Sequence, residues 1–412
     1  MASNSCQQPG ATEASDIPSV PQGFRLAGVH CGIKTDPSLE DLSVIICDQP
    51  TVAAGVYTQN RIFAAPVAVD RERTPSDSVR AVVVNSGNAN ACTGEQGMSD
   101  AVRMCESVAH LVEAPAEQAL VMSTGLIGEL LPMEKIVNGI AAAGQQVAAS
   151  GAAMLAAARG FMTTDTVPKM AGRTLSIEGH SIQLSGISKG AAMIGPNMAT
   201  MLGLLMTDAA IEPHDAQAML AAAAAKTFNC IRVEGHTSTN DTVLLLASGQ
   251  ASTAPLSAKD LIGFRDALEE VCQELALAIV ADGEGTTHVV TVDVQGCETP
   301  ETARQIAQSV ADSPLVKTAI AGADPNWGRI VSAAGYAGVE FDTSGVSLEI
   351  NGVTLYRKGE PIPFNAAVVS ESIAAARDVH LLLTFTEGSA AARMWTTDLT
   401  AEYVRLNAEY HT

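Results

Sequence analysis

The sequence predicts a mixed α/β protein. Short runs of β-branched and aliphatic residues, bounded by glycine, recur along its first half and are typical of buried strands. Alanine-rich runs with the apolar spacing of helices lie between them. The chain has 412 residues, 47% of them hydrophobic, which is enough for a large core with more than one compact region.

The elements of the first half follow from these runs. We predict strands at 42–48, 64–70, 79–85 and 118–122, where the apolar runs are short. We predict helices at 99–112, 132–159 and 213–227, where alanine content and apolar spacing are high.

The second half contains the clearest helix of the sequence, at 258–281, with its large apolar residues on one face. Ser257 precedes this helix and Asp260 stands three residues later, as in a capping pair. A strand is expected at 288–294, a helix from Thr299-Pro300, and a hairpin at 346–355 closed by Asn351-Gly352.

Charge and cysteine content exclude several classes of partner. The net charge of −21 disfavours binding to nucleic acid and to anionic lipid. No apolar run approaches the roughly 20 residues of a membrane span, and the first 23 residues lack the features of a targeting peptide, so we expect a cytosolic protein. Eight cysteines without a Cys-x-x-Cys pair or a histidine cluster predict free thiols and no zinc site.

Thr200 is the first candidate for chemistry, because it follows Ala199 in an apolar segment downstream of Gly195-Pro196-Asn197. If the bond before Thr200 is cut, the residue carries a hydroxyl and a free α-amine, whose pKa of about 7.7–8.0 lets it accept the hydroxyl proton. Thr200 is then a self-activated nucleophile. The alternative is an ordinary buried strand or helix.

Other polar groups have two interpretations each. Thr124 and Gly125 follow an apolar strand and fit either an oxyanion hole or a turn. Glu284 lies in the glycine-rich run Asp282-Gly283-Glu284-Gly285 and fits either a group that binds an amine or a solvated helix end.

The roles of two further loops and two histidines can also be interpreted in more than one way. The amide-rich loop 85–94 either binds a polar ligand or hydrogen-bonds to itself. Trp327, in Asp324-Pro-Asn-Trp-Gly-Arg329, suits a structural corner better than a ligand wall. His236 and His288 are interpreted as lone histidines without partners and without a catalytic role.

Taken together, these motifs resemble the ornithine acetyltransferase family, also called glutamate N-acetyltransferase, over nearly the whole chain. The resemblance rests on eight segments: Ala54-Gly-Val-Tyr-Thr58 with Asn60-Arg61, 85–94, Ser123-Thr-Gly-Leu-Ile-Gly128, Met162-Thr-Thr-Asp-Thr166 with Pro168-Lys169, 189–202, 282–285, 324–329 and 403–412.

The resemblance implies a precursor that cleaves itself between Ala199 and Thr200. It divides the chain into a flexible tail (1–22), an α-chain (23–199) and a β-chain (200–412). Thr200 would be the nucleophile, and Thr124 and Gly125 would form the oxyanion hole. The implied substrate-binding residues are Thr163, Lys189, Thr200, Glu284, Asn407 and Thr412.

The implied reaction is a ping-pong transfer of acetyl from N-acetylornithine to glutamate, in arginine biosynthesis, through an acetyl-threonine ester. Lys189 supplies a cation for a carboxylate and Glu284 an anion for an amine, as amino-acid substrates require. No metal or organic cofactor is implied. The motifs leave open whether acetyl-coenzyme A is also a donor.

The implied fold is a layered α/β sandwich of two sheets between helices, of the N-terminal-nucleophile type, with a C-terminal α/β lobe. The implied assembly is a heterotetramer, a dimer of cleaved heterodimers. Six positions depart from the family pattern and leave substrate preference open: Ala191, Ala192, Gly195, Glu234, His236 and His288.

Two rival functions remain. A related self-cleaving aminopeptidase or amidase would use the same nucleophile but resolve the acyl-enzyme with water. A non-enzymatic binding protein would keep the fold without cleaving. The retention of Thr200, Thr124, Gly125, Lys189 and Glu284 together favours the transferase.

Overall fold

The computed structural model describes residues 17–177, 179–195, 201–251 and 254–409. These residues form two compact units. Unit 1 comprises the described residues within 1–190, 201–224 and 239–275, and unit 2 comprises those within 191–200, 225–238 and 276–412.

Unit 1 contains an eight-stranded mixed sheet, called sheet 1. Its strands are β1 (Phe24–Val29), β2 (Leu42–Tyr57), β3 (Ser76–Asn88), β4 (Ala119–Leu126), β5 (Lys169–Ile177), β6 (His180–Lys189), β7 (Leu202–Thr207) and β9 (Thr242–Ala247). They pair in the order β4-β3-β2-β9-β7-β6-β5, and β1 pairs with the first part of β2. The β3/β4 and β7/β9 pairs are parallel, and the others are antiparallel.

Helices cover both faces of sheet 1, because alternate residues of its strands are apolar on each face. The helices of this part of the chain are α1 (Ala65–Arg73), α2 (Gly94–His110), α3 (Met133–Gly144), α4 (Gly151–Phe161), α5 (Pro213–Lys226) and α6 (Ala258–Ala281). Val82 of β3 belongs to one core cluster with Phe161 of α4. Val83 belongs to a second cluster, with Met104 of α2 and Ile136 of α3.

Unit 2 contains a seven-stranded mixed sheet, called sheet 2. Its strands are β8 (Ile231–Arg232), β10 (Val289–Cys297), β11 (Ser347–Ile350), β12 (Val353–Arg357), β13 (Glu360–Pro361), β14 (Asp378–Thr384) and β15 (Ala390–Thr397), in the order β13-β12-β11-β14-β10-β15-β8. Its helices are α7 (Pro300–Asp312), α8 (Pro314–Ala321), α9 (Trp327–Gly335), α10 (Ala366–Ala375) and α11 (Ala401–Glu409). Helix α7 packs against β10 and β15.

The α/β class, with two sheets and their helices, is confirmed, and unit 2 supplies the predicted C-terminal α/β lobe. The strands expected at 42–48, 79–85, 118–122 and 288–294 are present within longer or slightly shifted strands. Helix α6 has the predicted limits, and the Asp260 amide donates to the Ser257 hydroxyl at its start.

Two predicted elements are wrong. The segment 64–70 is not a strand, because it forms the start of α1, with Pro66 in the first turn and Val67, Val69 and Asp70 buried. The predicted helix at 132–159 is two helices, α3 and α4. Ser150 caps the second by accepting from the Ala153 amide, so the chain breaks between Gly144 and Gly151.

The beginning of the described chain is attached to unit 1. The Gln22 amide donates to Asp208, and the Ser185 hydroxyl donates to the Ser19 carbonyl. Ile17 and Val20 pack against the first core cluster. Within the described residues, none of the helices combines the length and the apolar character that crossing a membrane requires.

Candidate active site

Thr124 and Gly125 lie in the last residues of β4, not in a turn. Strand β4 continues to Leu126 in parallel pairing with β3, so the turn interpretation is wrong. Gly125 has a φ of +133°, and a Cβ placed on it would lie 2.2 Å from the Gly87 carbonyl carbon. Only glycine fits this position, because both the backbone angle and the adjacent strand exclude a side chain.

The hydroxyl of Thr124 meets the ammonium of Lys189, which ends β6. The Lys189 Nζ donates to the Thr124 Oγ1 at 3.3 Å, and both residues are 3% exposed. Since Thr124 Oγ1 accepts this hydrogen bond, its own O–H remains to donate elsewhere. Within the described residues, no acceptor for that O–H is found.

Asp165 is the anion of this site. Its carboxylate accepts from Lys169 Nζ at 2.7 Å and from the Gly190 amide at 2.6 Å. Burial alone raises the pKa of Asp165, but the charges of Lys169 and Lys189 and these hydrogen bonds together hold it below its usual value. Asp165 is therefore ionised at neutral pH.

Thr163 is placed by the same carboxylate, since its backbone amide donates to Asp165 Oδ2 at 2.9 Å. The residue is half-buried. Unit 1 thus brings four predicted site residues into one part of the molecule: Thr124, Gly125, Thr163 and Lys189. Asp165 was not among the predicted site residues, although it stands four residues before Lys169 in one of the segments that carry the family resemblance.

The amide-rich loop 85–94 hydrogen-bonds to itself. The Asn85 Nδ2 donates to the Asn88 carbonyl at 2.8 Å, and the Thr93 hydroxyl donates to Asn90 Oδ1 at 2.7 Å. Asn85 also accepts from the Ser123 hydroxyl at 2.6 Å, next to Thr124. Of the two interpretations, the structure favours a self-bonded loop that fixes the end of β4.

Glu284 and Asn407 meet in unit 2. The Asn407 Nδ2 donates to Glu284 Oε2 at 2.9 Å, although 123 residues separate them. The Glu284 amide donates to the Ala191 carbonyl at 2.9 Å, and the Thr400 hydroxyl fixes the Gly285 carbonyl at 2.7 Å. Glu284 is therefore a positioned acid of the loop after α6 rather than a freely solvated helix end.

Tyr403 of α11 lies in the field of two acids. Burial raises the pKa of its phenol to about 12, and the charges of Glu234 and Glu284 contribute to the increase. Burial also raises the pKa of Glu234 itself, to about 8. The charges of both acids therefore act on Tyr403, and the raised pKa of Glu234 favours its protonated form at neutral pH.

His288 has a partner, so its interpretation as a lone histidine is wrong. Its Nδ1 lies 2.9 Å from Asp398 Oδ2 and its Nε2 lies 3.2 Å from the Ile373 carbonyl. The hydrogen bond to Asp398 is the main reason that the pKa of His288 is raised. No local pattern indicates this pair, because 110 residues separate its members.

Three other positions named in the sequence analysis, Trp327, His236 and Gly195, lie in surroundings that indicate no catalytic role. Trp327 stacks on Tyr356 with ring centroids 5.4 Å apart, which favours the structural corner. His236 is exposed. A Cβ on Gly195 would lie 2.2 Å from the Gly235 carbonyl carbon, so the glycine at 195 is required by close backbone packing.

Three of the predicted site residues lie outside the described residues: Ala199, Thr200 and Thr412. Among the described residues, no group of three or more His, Cys, Asp or Glu side chains is arranged to hold a metal ion. Unit 1 contains a buried hydroxyl beside an ammonium, and unit 2 contains an acid–amide pair. Both suit a zwitterionic small molecule.

Compared with models of protein families, the chain matches the ArgJ family over residues 25–412. Among curated proteins, the arginine biosynthesis bifunctional protein ArgJ of Rhodopirellula baltica is 46% identical over 396 residues, which cover 95% of this chain and 96% of that protein. The protein of the same name from Thermotoga neapolitana is 42% identical over 95% of this chain and 100% of its own length.

Solved structures with similarity to this chain include the ArgJ protein of Bacillus halodurans, which is 38% identical, with a TM-score of 0.49, over 50% of this chain and 98% of that chain. The ornithine acetyltransferase of Mycobacterium tuberculosis, solved in complex with ornithine, is 35% identical over 44% of this chain and 96% of its own, with a TM-score of 0.39. The family match and the curated relatives span nearly the whole sequence, and the chain belongs to the ArgJ family.

Proposed function

We propose that this chain is a glutamate N-acetyltransferase that moves acetyl from N-acetylornithine to glutamate through an acetyl-threonine ester on Thr200. Family membership over residues 25–412 supports the reaction class. The observation that carries the proposal is the Thr124 hydroxyl, which accepts from Lys189 and keeps its own O–H available next to Gly125. This arrangement suits the stabilisation of an oxyanion.

The proposed reaction has two halves. The α-amine of Thr200 takes the proton of its own hydroxyl, and Oγ attacks the acetyl carbonyl of N-acetylornithine. Collapse of the tetrahedral intermediate breaks the amide bond, returns the proton to the leaving nitrogen and releases ornithine. The amine of glutamate then attacks the acetyl ester, loses a proton and leaves as N-acetylglutamate, which restores the Thr200 hydroxyl.

In both halves the Thr124 O–H and the Gly125 N–H donate to the oxyanion, a contribution of about 3 kcal/mol per donor in comparable sites. The Lys189 charge supports Thr124 in this role, because a donor that accepts from an ammonium is itself more polarised. Thr163, Lys189, Glu284, Asn407 and Thr412 are the proposed substrate-binding residues. Lys189 is assigned a carboxylate and Glu284 an amine.

The proposal includes self-cleavage between Ala199 and Thr200, since the α-amine exists only after the cut. It also includes assembly of the two products as a heterotetramer, and acetyl-coenzyme A as a second donor, as the relatives' description as bifunctional suggests. A cytosolic location agrees with the cysteines of the described residues, all seven of which are unpaired.

Intact-mass spectrometry of the wild type beside a Thr200→Ala variant tests the first step. Two fragments that meet at Ala199/Thr200 in the wild type, and one full-length chain in the variant, are expected. An uncut wild type removes the nucleophile and overturns the mechanism.

An assay with N-acetylornithine, with and without glutamate, tests the transfer. Ornithine release that requires glutamate, with N-acetylglutamate as the product, is expected. Ornithine release that is indifferent to glutamate and yields free acetate would instead establish the aminopeptidase or amidase alternative.

A further inference from the structure

The loop between β1 and β2 is folded around one buried carboxylate. Asp41 is 0% exposed and accepts four backbone amides, from Cys31 at 2.6 Å, Gly32 at 3.1 Å, Ile33 at 2.8 Å and Lys34 at 2.9 Å. Four such bonds fix the path of residues 31–34, because each amide points at the same side chain. The position of the Lys34 side chain is therefore set by the fold.

This loop lies against the strand that neighbours Gly125. A Cβ placed on Gly87 would lie 2.9 Å from Ile33 Cγ2 and 3.5 Å from Lys34 Cγ. Gly87 of β3 is the direct partner of Gly125 in β4. The stem of Lys34 thus lies one strand away from the proposed oxyanion donor.

The charge of Lys34 is close to the charges of the candidate site. Burial lowers the pKa of its ammonium, the charges of Asp41, Asp165 and Glu40 oppose this shift, and the charge of Lys189 adds to it. Its Nζ donates to the Glu40 carbonyl at 2.6 Å. Within the described part of the chain, no carboxylate lies within ion-pair distance of Lys34.

Three lysines share the field of the Asp165 carboxylate, and the Asp41 carboxylate, which also acts on Lys34, already accepts four backbone amides. Lys34, Lys169 and Lys189 all interact with Asp165, and Lys169 is already paired with it at 2.7 Å. A half-buried ammonium next to a buried one is unfavourable unless an anion joins them.

We propose that Lys34 is a second carboxylate-binding residue of this site, beside Lys189, and that it recognises the side-chain carboxylate of the acetyl acceptor. This inference rests on the proposed function. The acceptor glutamate carries two carboxylates, whereas the donor N-acetylornithine carries one and an ammonium. Two neighbouring cations therefore favour the acceptor, and one of them suffices for the donor.

The test compares Lys34→Met and Lys34→Arg with a matched control, Lys135→Met. Lys135 also donates to a carbonyl of the same loop, Gly32, at 2.9 Å, but it is exposed. Steady-state kinetics with each substrate varied in turn give the two KM values, and thermal unfolding of every variant confirms that it is folded.

Lys34→Met is expected to raise the KM for glutamate about tenfold to a hundredfold, the factor that the loss of a charge-assisted hydrogen bond produces. The KM for N-acetylornithine is expected to change less than about threefold. Lys34→Arg should recover part of the affinity, and Lys135→Met should behave as the wild type.

Two results would overturn the inference: equal increases of both KM values, which would assign Lys34 to the carboxylate shared by the substrates, and an unchanged KM for glutamate. If Lys34→Met fails to fold, the Lys34→Arg kinetics and a Lys34→Gln variant decide between the same outcomes. A wild type that transfers no acetyl would refute the proposed function instead, so the two failures are distinguishable.

Discussion

The Lys189 ammonium nitrogen lies 3.3 Å from the Thr124 hydroxyl oxygen, and both side chains are buried. A buried lysine needs strong partners, and those of Lys189 include this hydroxyl and the charge of Asp165. The pair joins the ends of two strands that are not neighbours in sheet 1. The hydroxyl is held in one orientation by a charge.

The first prediction concerns that hydroxyl. Thr124→Val removes it at nearly constant volume, and we expect kcat to fall on the order of 10²-fold to 10³-fold, as for the loss of one oxyanion donor. Thr124→Ser keeps the O–H and should retain most of the activity. Acetyl-transfer kinetics measure both, and a valine variant within a factor of about three of the wild type would contradict the role.

The second prediction concerns Gly125. Gly125→Ala should destabilise unit 1 by about 3 kcal/mol or more, because its Cβ would collide with Gly87 and its φ is unfavourable for alanine. The matched control is Gly128→Ala, whose φ is also positive but whose Cβ would meet no atom within 4 Å. It should cost only about 1 kcal/mol. Urea unfolding compares the two, and equal costs would show that the strand contact is unimportant.

The third prediction concerns Asp165. Asp165→Asn removes the buried carboxylate charge that faces Lys169 and Lys189, so a loss of about 3–5 kcal/mol in the free energy of unfolding is expected at neutral pH. Asp266→Asn, at an exposed pair with Arg265, is the control and should change little.

The pH dependence of this loss follows from the lowered pKa of Asp165. The stability that the charge contributes is present above the unfolded pKa of about 3.9 and is lost as the pH falls towards the folded value. The difference between wild type and Asp165→Asn should therefore shrink below about pH 4. A constant difference from pH 7 to pH 3 would refute this assignment.

The fourth prediction concerns His288 and Asp398. The pKa of His288 is raised, so its pairing contributes stability that is fully present below about pH 6.5 and is lost as the pH rises through the folded value. Compared with His288→Gln, the wild type should have its largest advantage at acidic pH. His288→Lys should keep its advantage at alkaline pH, where lysine remains charged. Urea midpoints across the range measure this, and parallel curves for all three proteins would contradict it.

Local patterns predicted the elements that obey one clear period. Helix α6 has an apolar face, and Ser257 before it is typical of a helix N-cap, so its limits could be predicted. The segment 64–70 is wrongly predicted as a strand, because its valines alternate as in a strand and also fall on the buried side of α1. Proline in the first turn was the signal that separates the two.

The site could be predicted in its residue types but not in its connections. Thr124 and Lys189 stand 65 residues apart, and Glu284 and Asn407 stand 123 apart. Such contacts are made by strand order and loop packing, which no local pattern contains. The role of Lys34 could not be predicted for the same reason. Its position depends on Asp41, whose carboxylate accepts the Lys34 amide in the folded loop.

The order of sheet 1 has a consequence for the molecularity of folding. Strands β7 and β9, which follow the proposed cut, lie between β2 and β6, which precede it. A cut chain would thus remain joined through two hydrogen-bonded ladders inside one sheet. Renaturation of the cleaved protein would then be a second-order reaction whose rate rises with concentration, whereas uncut Thr200→Ala would refold in a first-order reaction.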